Sequence, residues 1–404
     1  METKKRILVF VPEFPVLTET FILRELEKLN EYEDIDLTVF SLKKGKGSIP
    51  DSLKEKTVYG RLNIADALST LPYFLLHFSK LRKIFLKIKK GESSDSFYVF
   101  LKSVAYSRKF SKYKPQLLFA HFLSESSTIV MYASEILGIP YGISAHAKDV
   151  FVTSHCVREK IQTAQFIAVC NENAYKYLLE KFGNVNNKIH LIHHGIDIEK
   201  ITKSVEDRDY KPEKPLILSV GRLVEKKGLQ YLIDAAKILK DKKIDFSMEI
   251  IGFGPLYRDI LEQIKENGLE NEVKILGENK GLPNEETLMH FKAAGVFAFP
   301  SIETEEKDVD GIANVLLEAG VFRVPVVASD TGSTHEIIID GETGLLFSPG
   351  NSNALAEKLE ILLNDEDLRK KLGNNLYSKV EKDFDINKNT VLLLATLRAQ
   401  PVEG

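Results

Sequence analysis

The chain is poor in cysteine and in uninterrupted apolar stretches. It has 404 residues but only two cysteines, Cys156 and Cys170, and neither stands in the spacing of a zinc or redox motif. We therefore expect both to be inert thiols in the core. No run approaches the roughly 18–20 apolar residues that cross a bilayer, and the N-terminus lacks the apolar segment of a signal peptide. We expect an intracellular protein, cytoplasmic or bound peripherally to the inner face of a membrane.

The chain also has little net charge. Lys+Arg 55 against Asp+Glu 58 gives −3, so nothing in the total indicates nucleic acid as a partner. The hydrophobic fraction of 44% is ordinary for a globular protein. A chain of 404 residues is too long for one ordinary core and predicts two domains.

Short apolar runs alternate with helical patterns in two blocks. The polar, proline-containing stretch 197–215 separates the blocks and indicates a linker. Buried strands that alternate with helices predict the α/β class, with two Rossmann-like domains whose parallel sheets are covered on both faces and whose shared site is an interdomain cleft. The predicted strands are 6–11, 116–120, 141–144, 166–169, 189–192, then 216–220, 246–251, 273–276, 295–299, 324–328 and 344–347.

The stretch GRLVEKKG at 221–228 follows the first strand of the second block and precedes a helical pattern. An anion there would meet the guanidinium of Arg222, the ammonium of Lys227 and the free N–H groups of a helix that starts near Gly228. A diphosphate fits that set of donors. The alternative is a solvated basic turn.

A second motif lies at 310–318, where Asp310-Gly311 leads into an apolar helix that carries one carboxylate, Glu318. A carboxylate among apolar neighbours is expected to be partly buried and to need hydrogen-bond donors. Vicinal sugar hydroxyls are suitable donors, so the segment is suited to bind a nucleotide sugar. The alternative is an N-capping aspartate followed by an ordinary charged helix residue.

Several motifs in one order now resemble the retaining glycosyltransferases of family 4, in particular enzymes of exopolysaccharide and colanic-acid-type biosynthesis. These are GRLVEKKG, IIGFGPL at 250–256, FPS at 299–301, DGIANVLLEAG at 310–320, VPVVASDTG at 324–332 and DGETGLLF at 340–347. The resemblance implies a GT-B fold with an acceptor domain at 1–200, a donor domain at 201–385 and a helix at 386–404 that packs back on the first domain. It implies a hexosyltransferase that takes a UDP- or GDP-sugar and acts on a glycan or lipid-linked acceptor.

The resemblance also implies roles for single residues of the donor domain. Arg222 and Lys227 are expected to hold the diphosphate and to act in catalysis. Glu318 is expected to hold the ribose, while Asp310 replaces the family's usual glutamate near the reacting carbon. The remaining donor contacts are expected at the following positions: Gly221, Gly277, Glu278, Gly311, Ile312, Asn314 and Val315.

The first domain is similar to the same enzymes. His146, after the strand that ends at Ser144, is expected to donate a hydrogen bond to the donor sugar or phosphate, with Asp149 orienting it or meeting an acceptor hydroxyl. Thr18 and Glu19 are expected to bind the acceptor. Alternatively, Thr18 or Thr20 caps a helix and His146 is structural. We interpret His121, His193 and His194 as structural or lining the site.

No cofactor is expected. We identify no aspartate-x-aspartate pair in a suitable loop beside the phosphate-binding residues, so positively charged side chains are expected to replace a metal. A dinucleotide-dependent oxidoreductase is disfavoured because Tyr257 stands where a third glycine would follow Gly252 and Gly254. A glycan-binding protein without activity and a sugar-nucleotide epimerase of GT-B fold remain alternatives.

Residues 76–114 contain eleven Lys or Arg against two acidic residues. Apolar residues recur at helical spacing over 71–90, which predicts a basic amphipathic helix. Such a helix can lie on an anionic membrane surface or pack its apolar side on its own domain.

Overall fold

A computed structural model describes residues 4–16, 19–89, 97–151, 156–183, 187–278 and 280–399. The chain divides into two compact units. The first unit comprises the residues up to Gly195 together with those from Ile386 onward, and the second unit comprises Ile196–Asp385. The predicted boundary after residue 200 therefore lies five residues beyond the observed division.

The first unit is built on seven parallel strands in the order β3-β2-β1-β4-β5-β6-β7. The order reverses between β1 and β4, which is the switch point where doubly wound sheets bind ligands. The strands are β1 (Lys5–Phe14), β2 (Ile35–Lys44), β3 (Thr57–Tyr59), β4 (Leu117–His121), β5 (Tyr141–Ala145), β6 (Phe166–Val169) and β7 (Ile189–Leu191). The prediction found five of them and missed β2 and β3, because β2 mixes polar with apolar residues and β3 has three residues.

Helices cover both faces of this sheet. Core residues on one face include Phe10, Leu118 and Ile143, and those on the other include Val9, Leu117 and Phe119, as the alternation along a strand requires. The helices are α1 (Thr20–Asn30), α2 (Asp51–Lys54), α3 (Ile64–Leu76), α4 (Phe78–Lys89), α5 (Phe97–Ser111), α6 (Glu125–Leu137), α7 (Ala147–Phe151), α8 (Val157–Thr163) and α9 (Glu172–Phe182).

The second unit repeats the design with six parallel strands in the order β10-β9-β8-β11-β12-β13. Its switch point lies between β8 and β11. All six strands were predicted within two residues: β8 (Leu216–Val220), β9 (Ser247–Ile251), β10 (Val273–Leu276), β11 (Val296–Phe299), β12 (Val326–Ser329) and β13 (Leu345–Phe347). Its helices are α10 (Ile198–Ser204), α11 (Leu229–Asp241), α12 (Tyr257–Glu266), α13 (Asn284–Ala293), α14 (Asn314–Val321), α15 (Ser352–Asn364) and α16 (Glu366–Asp383).

The interpretation of 197–215 as a linker is wrong for its first half. The side chain of Asp197 accepts the backbone N–H of Lys200 at 2.9 Å and so caps α10. Ile201 and Val205 are buried in the core of the second unit. Two apolar side chains four residues apart were enough to anchor a helix in a segment that otherwise looks polar.

The last helix, α17 (Ile386–Arg398), belongs to the first unit. Leu393, Leu394 and Leu397 are buried in the core beside α1. Arg398 pairs with Asp34 at 2.8 Å. The domain description thus matches the predicted return of the chain end to the first domain.

Within the described residues no helix is both long and apolar enough to span a bilayer. The predicted single amphipathic helix over 71–90 is two helices, α3 and α4. Leu81 of the predicted apolar face is buried, whereas Leu75 is 70% exposed and Phe85 40% exposed. The segment therefore packs one part of its apolar side on its own unit and leaves another part uncovered.

Candidate functional site

The loop GRLVEKKG connects β8 to α11 at the switch point of the second unit. A short 3₁₀ turn, Glu225–Lys227, brings Lys227 back over Gly221, where a Cβ would lie 3.3 Å from the lysine Cε. Gly228 has φ 58°, and a Cβ there would lie 2.0 Å from the carbonyl oxygen of Pro300. Gly228 thus has a steric reason, whereas at Gly221 the nearest atoms belong to the flexible side chain of Lys227.

Motifs distant in sequence meet this loop. The hydroxyl of Ser301, in FPS, donates to the carbonyl of Lys226 at 2.9 Å and to Asp310 at 3.0 Å. Gly332, in DTG, leaves room for the carbonyl of Asp310, since a Cβ would lie 2.1 Å from it. Gly252, in GFG, likewise leaves room for the carbonyl of Gly221, since a Cβ at Gly252 would lie 1.8 Å from that oxygen. The motifs are therefore parts of one spatial cluster.

Asp310 is the carboxylate at the centre of that cluster. It lies 2.7 Å from the ammonium of Lys227 and 3.5 Å from that of Lys226. Burial raises the pKa of Asp310, but the charges of Lys227 and Lys226 and the Ser301 hydroxyl outweigh it and hold the pKa below its ordinary value. The residue is not a helix cap, because α14 begins at Asn314 with Ala313 at the N-cap.

The structure corrects the statement that no aspartate-x-aspartate pair stands beside the phosphate-binding residues. Asp308-Val309-Asp310 is such a pair, and Asp308 lies 3.0 Å from the ammonium of Lys226. The pair was overlooked because its loop is far from GRLVEKKG in sequence. In space two lysine ammonium groups lie against its two carboxylates.

Arg222 is exposed, and among the described residues no ion pair to its guanidinium is found. It stands directly after Gly221 and ahead of the 13-residue helix α11. The positive end of that helix dipole adds to its charge. Arg222 is thus a cation available to an anionic ligand, whereas Lys227 is already paired with Asp310.

Glu318 is buried, with 8% of its surface exposed, as the apolar pattern of its helix predicted. It lies on α14, one turn beyond Asn314 and Val315, and Gly311 and Ile312 lie in the connection before that helix. The connection and the helix together follow β11, so these residues belong to the same strand-end region as Lys227.

The loop that begins at Gly277 follows β10. The carboxylate of Glu278 accepts the hydroxyl of Tyr257, and Gly277 has φ 88°. Phe253, an aromatic ring that is 42% exposed, lies 3.2 Å from where a Cβ of Gly281 would be. Sequence reasoning did not select Phe253, although an aromatic residue between the two glycines of GFG was the available signal.

In the first unit His146 follows β5 and is 7% exposed. Its Nδ1 lies 3.2 Å from Nε2 of His194, and the two rings stack with an interplanar angle of 12°. Within the described part of the chain its Nε2 has no hydrogen-bond partner. Burial, and then His194 and His121, lower the pKa of His146 well below its ordinary value, so the ring is neutral.

Glu25 lies behind these rings, on α1. One carboxylate oxygen is 3.4 Å from Nδ1 of His194 and the other is 3.3 Å from Nε2 of His121. Burial raises the pKa of Glu25, but hydrogen bonds and charge from both histidines outweigh it and lower the pKa well below the ordinary value. Glu25 and His194 are functional candidates that sequence reasoning missed, since nothing in α1 marks this glutamate among its neighbours.

The predicted acceptor residues have different surroundings. Thr18 lies outside the described residues. Glu19 is the N-cap residue of α1 without a side-chain cap bond, so the alternative that Thr20 caps this helix is wrong. Burial, and then Glu13, raise the pKa of Glu19.

Asp149 lies in α7 and is buried. One carboxylate oxygen accepts the backbone N–H of His146 at 2.8 Å, and the other accepts that of Leu123. Burial raises the pKa of Asp149 to about 7 although these hydrogen bonds favour the charged form. The residue therefore holds the backbone of His146 and of Leu123 in place.

Two sheets of parallel strands, each with polar residues at the carboxyl ends, define the GT-B class, and solved structures agree. A glycosyltransferase from Rickettsia africae superposes with a TM-score of 0.71 over 98% of this chain and all of that chain, at 18% identity. The HepE protein of Anabaena, solved in complex with UDP, superposes with a TM-score of 0.66 over 97% and 99%, at 17% identity. At such identities the likeness concerns the fold.

The family follows from the sequence of the second unit. Residues 200–379 match the family described as Glycosyl transferases group 1, so the chain carries a glycosyltransferase group 1 domain. The amylovoran biosynthesis glycosyltransferase AmsK of Erwinia amylovora is 35% identical over 45% of this chain and 44% of its own length. The putative colanic acid biosynthesis glycosyltransferase WcaL of Salmonella typhimurium is 32% identical over 54% of each chain.

These matches span about half the length of both relatives. They confirm the resemblance that the motifs indicated, to glycosyltransferases of exopolysaccharide biosynthesis. The fold class is thereby established.

Proposed function

We propose that the protein is a retaining hexosyltransferase that moves a sugar from a UDP- or GDP-sugar to a hydroxyl of a glycan or lipid-linked glycan in surface polysaccharide biosynthesis. The observation that carries the proposal is the cluster of Lys227, Asp310 and Ser301 beside the exposed Arg222 at the switch point of a group 1 domain. HepE, of similar fold, was solved with UDP and with UDP-glucose, which supports a nucleotide-sugar donor.

Charge development explains why these residue types are needed. When the bond between the anomeric carbon and phosphate breaks, negative charge grows on the diphosphate and positive charge on the sugar. Arg222, Lys227 and the start of α11 would stabilise the diphosphate, while Asp310 and Glu318 would accept hydrogen bonds from hydroxyls. The acceptor hydroxyl attacks on the face that the diphosphate leaves, a phosphate oxygen takes its proton, and the configuration is retained. His146 would donate a hydrogen bond to the donor sugar or phosphate.

We propose that the reaction needs no metal. The ammonium groups of Lys226 and Lys227 lie within 3.0 Å of Asp308 and 2.7 Å of Asp310, so the charge of this carboxylate pair is already balanced. Transfer is therefore expected to continue in excess chelator. A rate that falls with chelator and returns with Mg²⁺ or Mn²⁺ contradicts this part of the proposal.

We further propose that α3 and α4 bring the protein to an anionic membrane surface, where a lipid-linked acceptor is available. Apolar side chains are exposed there next to the exposed cations Arg82 and Lys83. This combination binds anionic interfaces through buried apolar area and charge attraction. The exposed apolar residues are Leu75, Leu76, Phe78, Phe85 and Leu86.

Thermal unfolding in the presence of UDP-, GDP- and ADP-hexoses tests the donor. A ligand at about a hundred times its dissociation constant adds about 2.7 kcal/mol of stability. We expect one base to raise the unfolding temperature of the wild type and not of Arg222→Met. No shift with any nucleotide sugar overturns the donor assignment.

Turnover with a glycan acceptor separates the alternatives. A transferase releases nucleoside diphosphate only when an acceptor is present, and NMR of the product gives its anomeric configuration. An epimerase instead changes the donor sugar without acceptor, and a binding protein releases no diphosphate. An inverted product overturns the retaining mechanism alone.

A further inference from the structure

Three metal-ligating side chains meet at the carboxyl edge of the first sheet. They are His146 after β5, Cys170 after β6 and His194 after β7, each 24 residues from the next in sequence. One donor atom of each lies within 4.8 Å of the others. Cys170, like Cys156, is only partly buried, so neither thiol lies fully in the core as expected. Three neighbouring parallel strands explain the convergence, because their carboxyl ends lie side by side.

The geometry suits a tetrahedral transition metal. Nδ1 of His146 and Nε2 of His194 are 3.2 Å apart. Two nitrogens at about 2.0–2.1 Å from zinc in a tetrahedral site are separated by about 3.3 Å. A thiolate completes a Cys-His-His set with one position open to water, and thiolate with imidazole favours zinc over the hard cations Mg²⁺ and Ca²⁺.

Neighbouring groups support each ligand. The carboxylate of Glu25 faces Nδ1 of His194 at 3.4 Å, so it accepts a hydrogen bond from that nitrogen and leaves Nε2 as the atom that binds the ion. The amide of Asn171 lies 3.6 Å from the sulfur of Cys170, and Nδ1 of His193 lies 2.9 Å from the carbonyl oxygen of Cys170. Such second contacts are typical of metal sites.

Charge balance points the same way. Burial disfavours net charge, and a divalent ion with one thiolate ligand carries a single positive charge. The carboxylate of Glu25 lies 3.4 Å from Nδ1 of His194, so the ion, the thiolate and this carboxylate together carry no net charge. His194 also lines a small cavity with Phe21 and Glu25.

We propose that His146, Cys170 and His194 bind one thiophilic divalent metal ion, with zinc as the physiological ion. Binding releases the thiol proton and the proton shared by the two histidines, and it occupies Nδ1 of His146. Resting on the proposed function, the ion is an inhibitor, because a ring whose Nδ1 is bound to the ion is fixed in place and cannot adjust to the donor sugar. It is not a cofactor of transfer.

Binding is tested on the full chain without a histidine tag, stripped with chelator and free of nucleotide sugar. Zn²⁺ titrated against a chromophoric chelator is expected to bind at one ion per chain, and Co²⁺ to give thiolate-to-metal charge-transfer absorption. Cys170→Ser removes that absorption. Glu25→Gln weakens Zn²⁺ affinity by about 10–100-fold, as loss of a carboxylate behind a ligating histidine does elsewhere.

The chain supplies a matched control in its other cysteine, Cys156, which lies at the start of α8 and is similarly half-buried. Cys156→Ser is expected to keep both the Zn²⁺ affinity and the Co²⁺ absorption. Circular dichroism and thermal unfolding check that each variant folds, and His194→Gln gives a second disruption if Cys170→Ser does not. The proposed metal site is overturned if Zn²⁺ does not bind stoichiometrically. It is also overturned if the wild type, Cys170→Ser and His194→Gln bind Zn²⁺ equally.

A kinetic arm separates the site from its effect. Each variant is compared with its own zinc-free rate. Zn²⁺ at saturating occupancy is expected to inhibit the wild type and not Cys170→Ser. If Zn²⁺ binds but does not inhibit, the metal site is supported and its inhibitory role is overturned. Failure of transfer in every variant and in the wild type refutes the proposed function and leaves the binding result intact.

Discussion

In the second unit Lys227 and Asp310 neutralise each other at 2.7 Å, while Arg222 stays exposed beside them. In the first unit Glu25 is enclosed by His121 and His194, and His146 is a neutral buried ring. Both groups lie at carboxyl ends of parallel strands. The second unit keeps a charge ready for an anion, whereas the first unit places a buried carboxylate against two histidine rings. Burial lowers the pKa of His194, but hydrogen bonds to Cys170 and Glu25 outweigh burial and raise the pKa to about 10.

The difference teaches how each cluster depends on its surroundings. An exposed guanidinium needs little support and can be lost without leaving a buried charge unpaired. A buried carboxylate needs its partners to remain in place, because an unpaired charge in a protein interior is costly. Function and stability should therefore separate at Arg222 and be coupled at Lys227, Asp310 and Glu25.

The largest expected effect concerns the exposed cation of the second unit. Arg222→Met is expected to lower kcat about 10²–10³-fold, as loss of one preorganised donor does in other enzymes. Unfolding by urea should change by no more than about 0.5 kcal/mol, since the side chain is exposed. Lys237→Met, on the helix α11 that follows the loop of Arg222 and paired with Asp241, is the control and should keep full activity. Wild-type activity in Arg222→Met contradicts the comparison.

Lys227→Met is expected to lose stability as well as activity. Removing one partner of a largely buried pair costs about 3–5 kcal/mol, and replacing both partners by apolar residues restores much of it. Urea unfolding of Lys227→Met, Asp310→Leu and the double variant measures this. Additive losses in the double variant would show that the pair is not coupled.

The same pair gives a pH dependence. The folded pKa of Asp310 is lowered, so its stabilising effect is complete above the unfolded value of about 3.9 and is lost as pH falls through the folded value. Between about pH 5 and pH 2 the free energy of unfolding should therefore fall more steeply for the wild type than for Asp310→Asn. Parallel curves would mean that Asp310 titrates normally in the folded protein.

Glu25→Gln tests the comparison in the first unit. The variant loses the charged acceptor between His121 and His194, and we expect a cost of about 1–3 kcal/mol in urea unfolding. Glu31→Gln is the control at the end of α1, where the carboxylate is exposed and pairs with Lys28 at 2.7 Å. Its expected change is within about 0.5 kcal/mol. Equal losses in the two variants would contradict a buried structural role for Glu25.

The smallest expected effect concerns the surfaces of the two units. Lys83→Ala should weaken co-sedimentation with anionic vesicles about fivefold, since a cation near such a surface contributes about 1 kcal/mol. Lys371→Ala, an exposed lysine of the second unit, should have no effect. Release by salt is expected for the wild type. Equal recovery from neutral vesicles would refute the electrostatic part of the membrane proposal.

Parts of the fold were readable because burial leaves a local pattern. The six strands of the second unit are mostly apolar, as strands buried on both faces are, with Glu249 in β9 and Lys274 in β10 as their charged residues. β2 was missed because Thr38 and Ser41 interrupt its apolar residues. α10 was missed because only an N-cap residue and two apolar side chains stabilise it. The order of the strands was not predicted, because alternation of strands and helices does not specify which strands are neighbours.

The sequence by itself determined two α/β domains, the buried position of Glu318 and the cationic loop at Arg222 and Lys227, because each depends on residues close together in the chain. Only the tertiary structure decided that Lys227 pairs with Asp310 and that His146, Cys170 and His194 meet. The physical reason is that parallel strands bring their carboxyl ends to one edge of a sheet. Residues that the intervening helices separate in sequence thereby come within bonding distance.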